Sequence, residues 1–117
     1  MGRAIVVDDH PAFRASARRL LELTGYEVVG EASDGASGVA LAREQEPELV
    51  LLDIALPDMS GFDVADELAE GPSSIVFVSS RDQGDFGRRA EQSGALGFIS
   101  KDRLSEESLL AVVKSAR

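Results

Sequence analysis

Five polar residues that suit cation or phosphoryl chemistry lie at the ends of apolar runs. Asp8 and Asp9 follow Ala4 to Val7, and Asp53 follows Leu49 to Leu52. Ser79 closes the run from Ile75 to Val78, and Lys101 comes just after Phe98, Ile99 and Ser100. Two adjacent carboxylates repel, and burying either is costly without a counter-charge. Three carboxylates brought together favour a hard divalent cation with oxygen ligands, Mg2+ above all where water and phosphate oxygens complete the shell. An aspartate beside such a cation can act as a nucleophile toward phosphorus and form an acyl phosphate. Lys101 and a serine hydroxyl could hold the other phosphoryl oxygens. With no cysteine and a single histidine, His10, a zinc site is disfavoured.

Whether these residues meet depends on the elements that carry them. Arg3 to Val7 reads as a buried strand, and Pro11 suits the first turn of a helix. In that helix Phe13, Ala17, Leu20, Leu21 and Thr24 recur at helical spacing, while Arg14, Arg18 and Glu22 face elsewhere. Gly25 ends it. Tyr26 to Ala32 predicts a second strand, and "SDGASGVALAREQE" a helix weakened by Gly35 and Gly38. "ELVLLDIALP" is the most apolar stretch and reads as a central strand covered on both faces. Gly61 to Ala69 makes a short helix with Phe62, Ala65 and Leu68 on one side, and "SIVFVSS" a fourth strand. A helix over 84–93 with Phe86 and Ala90 inward, a strand in "ALGFIS" and a last helix through Leu109, Val112, Val113 and Ala116 complete the pattern. Ser105 is placed to cap that last helix, with Glu106 and Glu107 in its first turn.

Strand then helix, five times, predicts an α/β fold: a doubly wound parallel sheet with helices on both faces. Sites in such sheets form at the carboxyl ends of the strands. Asp8, Asp9, Asp53, Ser79 and Lys101 all fall there, although far apart in sequence.

The bulk properties set the class. The length suits one domain and 44% apolar residues suffice for a core, which excludes a disordered segment. No apolar stretch is long enough to cross a bilayer, and no signal peptide is visible, so a cytoplasmic protein without membrane association is expected. A net charge of −9 argues against nucleic-acid binding by this chain itself.

The order of these motifs resembles a response-regulator receiver domain of two-component signalling. The likeness covers residues 1–117 and rests on "DD" after the first strand, the Asp of "LLDIALPDMSG", the hydroxyl of "VFVSS" and the Lys of "GFISKD". It implies a flavodoxin-like fold, a single five-stranded parallel sheet with five flanking helices. It implies Asp53 as phospho-acceptor, fed by a sensor histidine kinase with Mg2+ as cofactor. Asp9 would bind the metal directly, Asp8 through water, Asp53 itself and the backbone carbonyl of Ala55 as well. Ser79 would bond the phosphoryl group, Lys101 would pair with it, and Phe98 would be the switch aromatic. "DDHP", "DGASGVALA" and "KD" after the last strand look most like the NarL/LuxR-type branch. Members carry a C-terminal helix-turn-helix, so a DNA-binding domain absent here, a transcriptional output and a homodimer on phosphorylation are expected. Three features depart from the pattern: Ser80 where alanine is commoner, a short stretch between Asp53 and Ser79, and the glycine-rich "RDQGDFG".

Other readings compete. A degenerate receiver could dock partners without phosphorylation, or a receiver could act alone. A haloacid-dehalogenase-like phosphatase would typically show a second aspartate two residues after Asp53, where Ala55 stands. A flavin module lacks a phosphate-cradling loop after the first strand. His10 reads as a helix-start residue at the rim, Asp58 and Asp63 as polar loop and helix residues, and Arg18 and Arg19 as a solvated face.

Overall fold

The computed structural model of the protein describes residues 2–80 and 84–115, with side chains for 2–80 and 88–114. Its elements run β1 Arg3–Val7, α1 Pro11–Leu23, β2 Glu27–Ala32, α2 Gly35–Gln45, β3 Leu49–Asp53, α3 Gly61–Glu67, β4 Ser74–Ser79, α4 Gly84–Gln92, β5 Gly97–Ser100 and α5 Glu106–Ser115. A single 3-10 turn, Lys101–Arg103, joins β5 to α5. The five strands form one parallel sheet in the order β2-β1-β3-β4-β5. The direction of winding reverses between β1 and β3, and a crevice opens there at the carboxyl ends.

Strand alternation sorts the core into two layers. Ile5, Val7, Val50, Leu52, Ile75 and Phe77 cluster with Val39, Ala42, Phe62, Val64, Leu68 and Ala90 of α2, α3, α4 and the end of α3. Ala4, Val6, Leu49, Leu51, Val76 and Val78 cluster with Ala17, Leu21 and Leu109 of α1 and α5. Burial on both faces explains why the strands read as unbroken apolar runs. Among the described residues no helix is long and apolar enough to cross a membrane.

The helix ends follow local chemistry. Pro11 opens α1. At its close Gly25 takes φ 98° and donates to Glu22 O at 3.1 Å, while Tyr26 N donates to Leu21 O at 3.0 Å. That is the 6→1 and 5→2 pair of a glycine-ended helix. Because Tyr26 is spent in this closure, β2 starts at Glu27, one residue later than the sequence pattern suggests. In α2 the glycine at 38 has a packing reason: a Cβ there would come within 2.8 Å of Val7 Cγ1, so the helix lies close on β1. α3 has only seven residues, in line with the short stretch between Asp53 and Ser79. Ser60 and Asp63 cap it reciprocally. Ser105 caps α5 by accepting from Ser108 N at 3.0 Å, and Ser108 Oγ accepts from Ser105 N. Ala90 is buried as expected. Phe86 and Ala116, also expected to face inward, lie outside the described side chains, as does part of "RDQGDFG".

Candidate cation and phosphoryl site

β1 and β3 flank the crevice, so their last residues meet in it. Asp8 is fully buried, held by its N–H on Ala32 O at 3.0 Å. Asp53 ends β3 and is 2% exposed. Asp9, next to Asp8, faces solvent. Ligand atoms of Asp8, Asp9, His10 and Asp53 all lie within 4.8 Å of one another.

One ammonium answers these acids. The turn after β5 turns Lys101 inward, with Nζ 2.6 Å from Asp8 Oδ2 and 3.7 Å from Asp53 Oδ2. The same Nζ sits 4.3 Å from the centre of the Phe13 ring on α1. Asp8 Oδ2 is buried, and this contact ion pair is what holds it. The three carboxylates still exceed the lysine by two charges, which is the charge of a divalent cation.

Electrostatics follow from that excess. Burial first, and then the neighbouring Asp8 carboxylate, push Asp53 up from 3.8 to about 6; Lys101 and the Ala55 N–H oppose them. The Ala55 N–H reaches Asp53 Oδ1 at 3.3 Å.

The loop after β3 is held tightly. Gly61 N donates to Ile54 O at 2.7 Å, and Ala55 bridges to Ser60. A Cβ on Gly61 would collide with the Asp53 carbonyl, so only glycine lets α3 start this close to the site. Asp58 takes backbone N–H bonds from Gly35 at 2.7 Å and Ala36 at 3.0 Å, the first residues of α2. Those bonds hold its carboxyl below the ordinary range. The loop is thereby pinned to the amino end of α2, where a negative charge is favoured.

Ser79 and Phe98 are set by register. Asp53 pairs with Val78, and Ser79 with Ser100, so Ser79 stands one residue beyond the strand partner of Asp53, beside the strand that leads to Lys101. Its side chain is buried. Phe98 pairs with Phe77 and packs, half-buried, on the α2–α3–α4 side of the core. Ser80 is exposed.

The structure thus brings Asp8, Asp9, Asp53 and Lys101 together and sets Ser79 on the same edge. Sequence reasoning undervalued four residues. His10 starts α1 as expected, but its Nδ1 also lies 3.0 Å from Asp8 Oδ1 and 3.1 Å from Asp9 Oδ1. Arg14 lies off the apolar face as expected, but it also donates to the Asp8 carbonyl at 2.7 Å and to Glu31 at 3.2 Å. Arg18 is not merely solvated, since it pairs with Glu31 at 2.9 Å. Asp58 ties the loop to α2. Grooves elsewhere, such as one lined by Glu46, Glu67, Pro72 and Ser73, lie away from these groups.

Residues 4–114 match the response regulator receiver domain family. The nitrate/nitrite response regulator NarL of Escherichia coli is 36% identical over 116 residues, covering 96% of this chain and 53% of that protein. The solved signal receiver domain of a NarL response regulator from Mycobacterium tuberculosis is 39% identical with TM-score 0.87, covering 98% of this chain and 95% of that one. A LuxR-family two-component response regulator from Aurantimonas is 30% identical with TM-score 0.87, covering 99% of this chain and 84% of that one. The chain spans about half the length of the curated relatives it matches.

Proposed function

The chain belongs to the response regulator receiver domain family, and from that premise we propose that it is a cation-assisted switch that takes a phosphoryl group on Asp53. The observation that carries this reading is the buried Asp53 carboxylate beside the Asp8–Asp9 pair, with Lys101 reaching both Asp8 and Asp53 at one sheet edge. The donor set fits a divalent cation: oxygen-rich ligand groups within 4.8 Å of one another and an excess of two negative charges over Lys101. Mg2+ is the cation we assign, with Asp9 and Asp53 as direct ligands, Asp8 through water and the Ala55 carbonyl completing the protein's share. When bound, it neutralises charge on the phosphoryl group.

This chain's own residues then have distinct tasks. Asp53 attacks as the carboxylate, the form that a value of about 6 already favours at neutral pH. A phosphohistidine of a sensor kinase supplies the group; the phosphorus–nitrogen bond breaks as the phosphorus–oxygen bond to Asp53 forms. Lys101 lies within reach of both Asp8 and Asp53 and shifts its pairing to the new phosphoryl oxygens. Ser79 donates to them from β4. Phe98, on β5 beside Ser79's strand, reports the change by moving inward, biasing the face formed by β4, α4 and β5. Asp53 in this scheme is a phospho-acceptor whose domain assists both its phosphorylation and its dephosphorylation, not the nucleophile of a turnover enzyme. The names of relatives, a putative transcriptional regulator of Pseudomonas aeruginosa and a probable transcriptional regulatory protein NarL of Mycobacterium tuberculosis, support transcription as the output. Output would run through a DNA-binding domain outside this chain, with homodimerisation on phosphorylation.

Intact-mass measurement with a small phosphodonor and Mg2+ tests the proposal. One phosphoryl gain is expected, lost on Asp53→Ala and on Mg2+ removal. A gain that survives Asp53→Ala overturns it.

A further inference from the structure

Lys101 has two partners to serve in that scheme, Asp8 before transfer and the phosphoryl oxygens on Asp53 after it. Its backbone is set by the 3-10 turn that it opens, where Leu104 N donates to Lys101 O at 3.4 Å. Its side chain is not set by that turn, because a lysine stem is long and flexible and its ammonium strongly hydrated. Asp8 Oδ2 at 2.6 Å and Asp53 Oδ2 at 3.7 Å fix the ammonium only where it starts. A further neighbour is the ring of Phe13, with its centre 4.3 Å from Nζ. A ring face attracts a cation over separations up to about 6 Å. With that ring beside it, the Lys101 side chain is only 14% exposed.

Phe13 is anchored independently of the lysine. It lies in the first turn of α1, half-buried, and packs against the core layer that holds Ala17, Leu21 and Leu109. Leucine would serve that packing too. What leucine lacks is the π face, and that face suits an ammonium that must move. It attracts the cation without demanding one N–H direction, and it has no lone pair to compete with a phosphoryl oxygen. An ammonium against it is shielded from water yet free to turn from one acceptor to another. A hydrated ammonium would have to shed water each time it changed partner.

We propose that Phe13 is a positioning residue for phosphoryl transfer: its ring is the platform on which the Lys101 ammonium stays dehydrated while it turns from Asp8 to the phosphoryl oxygens on Asp53. The inference rests on Asp53 being the phospho-acceptor and goes beyond it by giving α1 a part in the step, played through Lys101. Before transfer the ring only adds to a contact that Asp8 already makes. It speeds transfer because it keeps water from the ammonium as that contact is given up.

The test follows phosphoryl uptake from acetyl phosphate at saturating Mg2+ by intact mass. In that step the phosphorus–oxygen bond to acetate breaks as the bond to Asp53 forms, and acetate leaves. Wild type, Phe13→Leu, Phe13→Tyr, Lys101→Met and the double variant Phe13→Leu with Lys101→Met are compared, with circular dichroism checking each fold. Phe13→Leu is expected to slow uptake about fivefold, and Phe13→Tyr, which keeps the ring face, to stay within about twofold of wild type. With Lys101→Met in place, Phe13→Leu should change the rate by less than about twofold, since the ring acts only through the ammonium. A Phe13→Leu rate equal to wild type overturns the platform alone. So does an equal slowing with and without the lysine, because the ring would then only support the fold. A second readout needs no phosphorylation: in the metal-free protein the ε-methylene protons of Lys101 should resonate upfield of their position in Phe13→Leu, and identical shifts overturn the contact. Wild type that takes up no phosphoryl group, with the upfield shift present, overturns the acceptor role of Asp53 and the platform with it.

Discussion

Replacing Asp53 with asparagine removes a charge that burial and the neighbouring Asp8 both oppose, so the metal-free protein should become more stable at neutral pH. The sign follows from linkage. Asp53 titrates at about 6 in the fold against 3.8 in an unstructured chain, so between these values the folded state binds more protons than the unfolded one. Stability contributed by this group is complete below 3.8, falls as pH rises, and is gone above about 6. At about 1.4 kcal/mol per pH unit the loss is about 3 kcal/mol. Burying the asparagine amide takes back part of that, which leaves a gain of about 1–3 kcal/mol for Asp53→Asn at pH 7.5. Near pH 3.5 the two proteins should converge. Urea unfolding with chelator present reads both points, and the gain at pH 7.5 corresponds to a rise of about 4 °C in Tm per kcal/mol. Mg2+ should close the gap by stabilising wild type more than the variant. A variant no more stable than wild type at pH 7.5, or a difference that does not change with pH, would refute the electrostatic reasoning.

Lys101→Ala leaves Asp8 buried without its counter-charge, so thermal unfolding of the metal-free protein should show a loss of about 3–5 kcal/mol, part of it recovered with Mg2+. Asp9→Asn should weaken Mg2+ binding by calorimetry more than Asp8→Asn, because Asp9 faces solvent while Asp8 is committed to Lys101 and His10; equal losses would mean the direct ligand is misassigned. Asp58→Ala should lower Tm and speed amide exchange at Gly35 and Ala36, and wild type should lose the same contribution as pH falls through the depressed value of Asp58.

The parts of this architecture visible in the sequence are those set by local pattern. Unbroken apolar runs marked the buried strands, and Pro11, Gly25 and Ser105 marked helix ends, because each acts within one or two turns of its own chain. The convergence of Asp8, Asp9, Asp53 and Lys101 was legible too, since a parallel sheet sends every strand end to one edge. What could not be read depends on distances between segments. Asp58 capping α2 needs the loop after β3 to lie over Gly35. Arg14 and Arg18 find Glu31 only once α1 lies along β2. Gly38 reads as a weak helix residue until Val7 is seen opposite it. His10 reads as a cap because its neighbours suggest one, and only the fold shows its ring between two carboxylates.

The claim that Asp53 itself receives the phosphoryl group is tested most directly by marking the acceptor atom. Borohydride reduces an acyl phosphate to the alcohol, releasing phosphate and turning the aspartate into homoserine. After reaction with a small phosphodonor, peptide mapping should find homoserine at position 53 with Mg2+ present and none with chelator. Homoserine at Asp8 or Asp9, or a phosphoryl group on His10 or Ser79 with position 53 unchanged, would contradict the account.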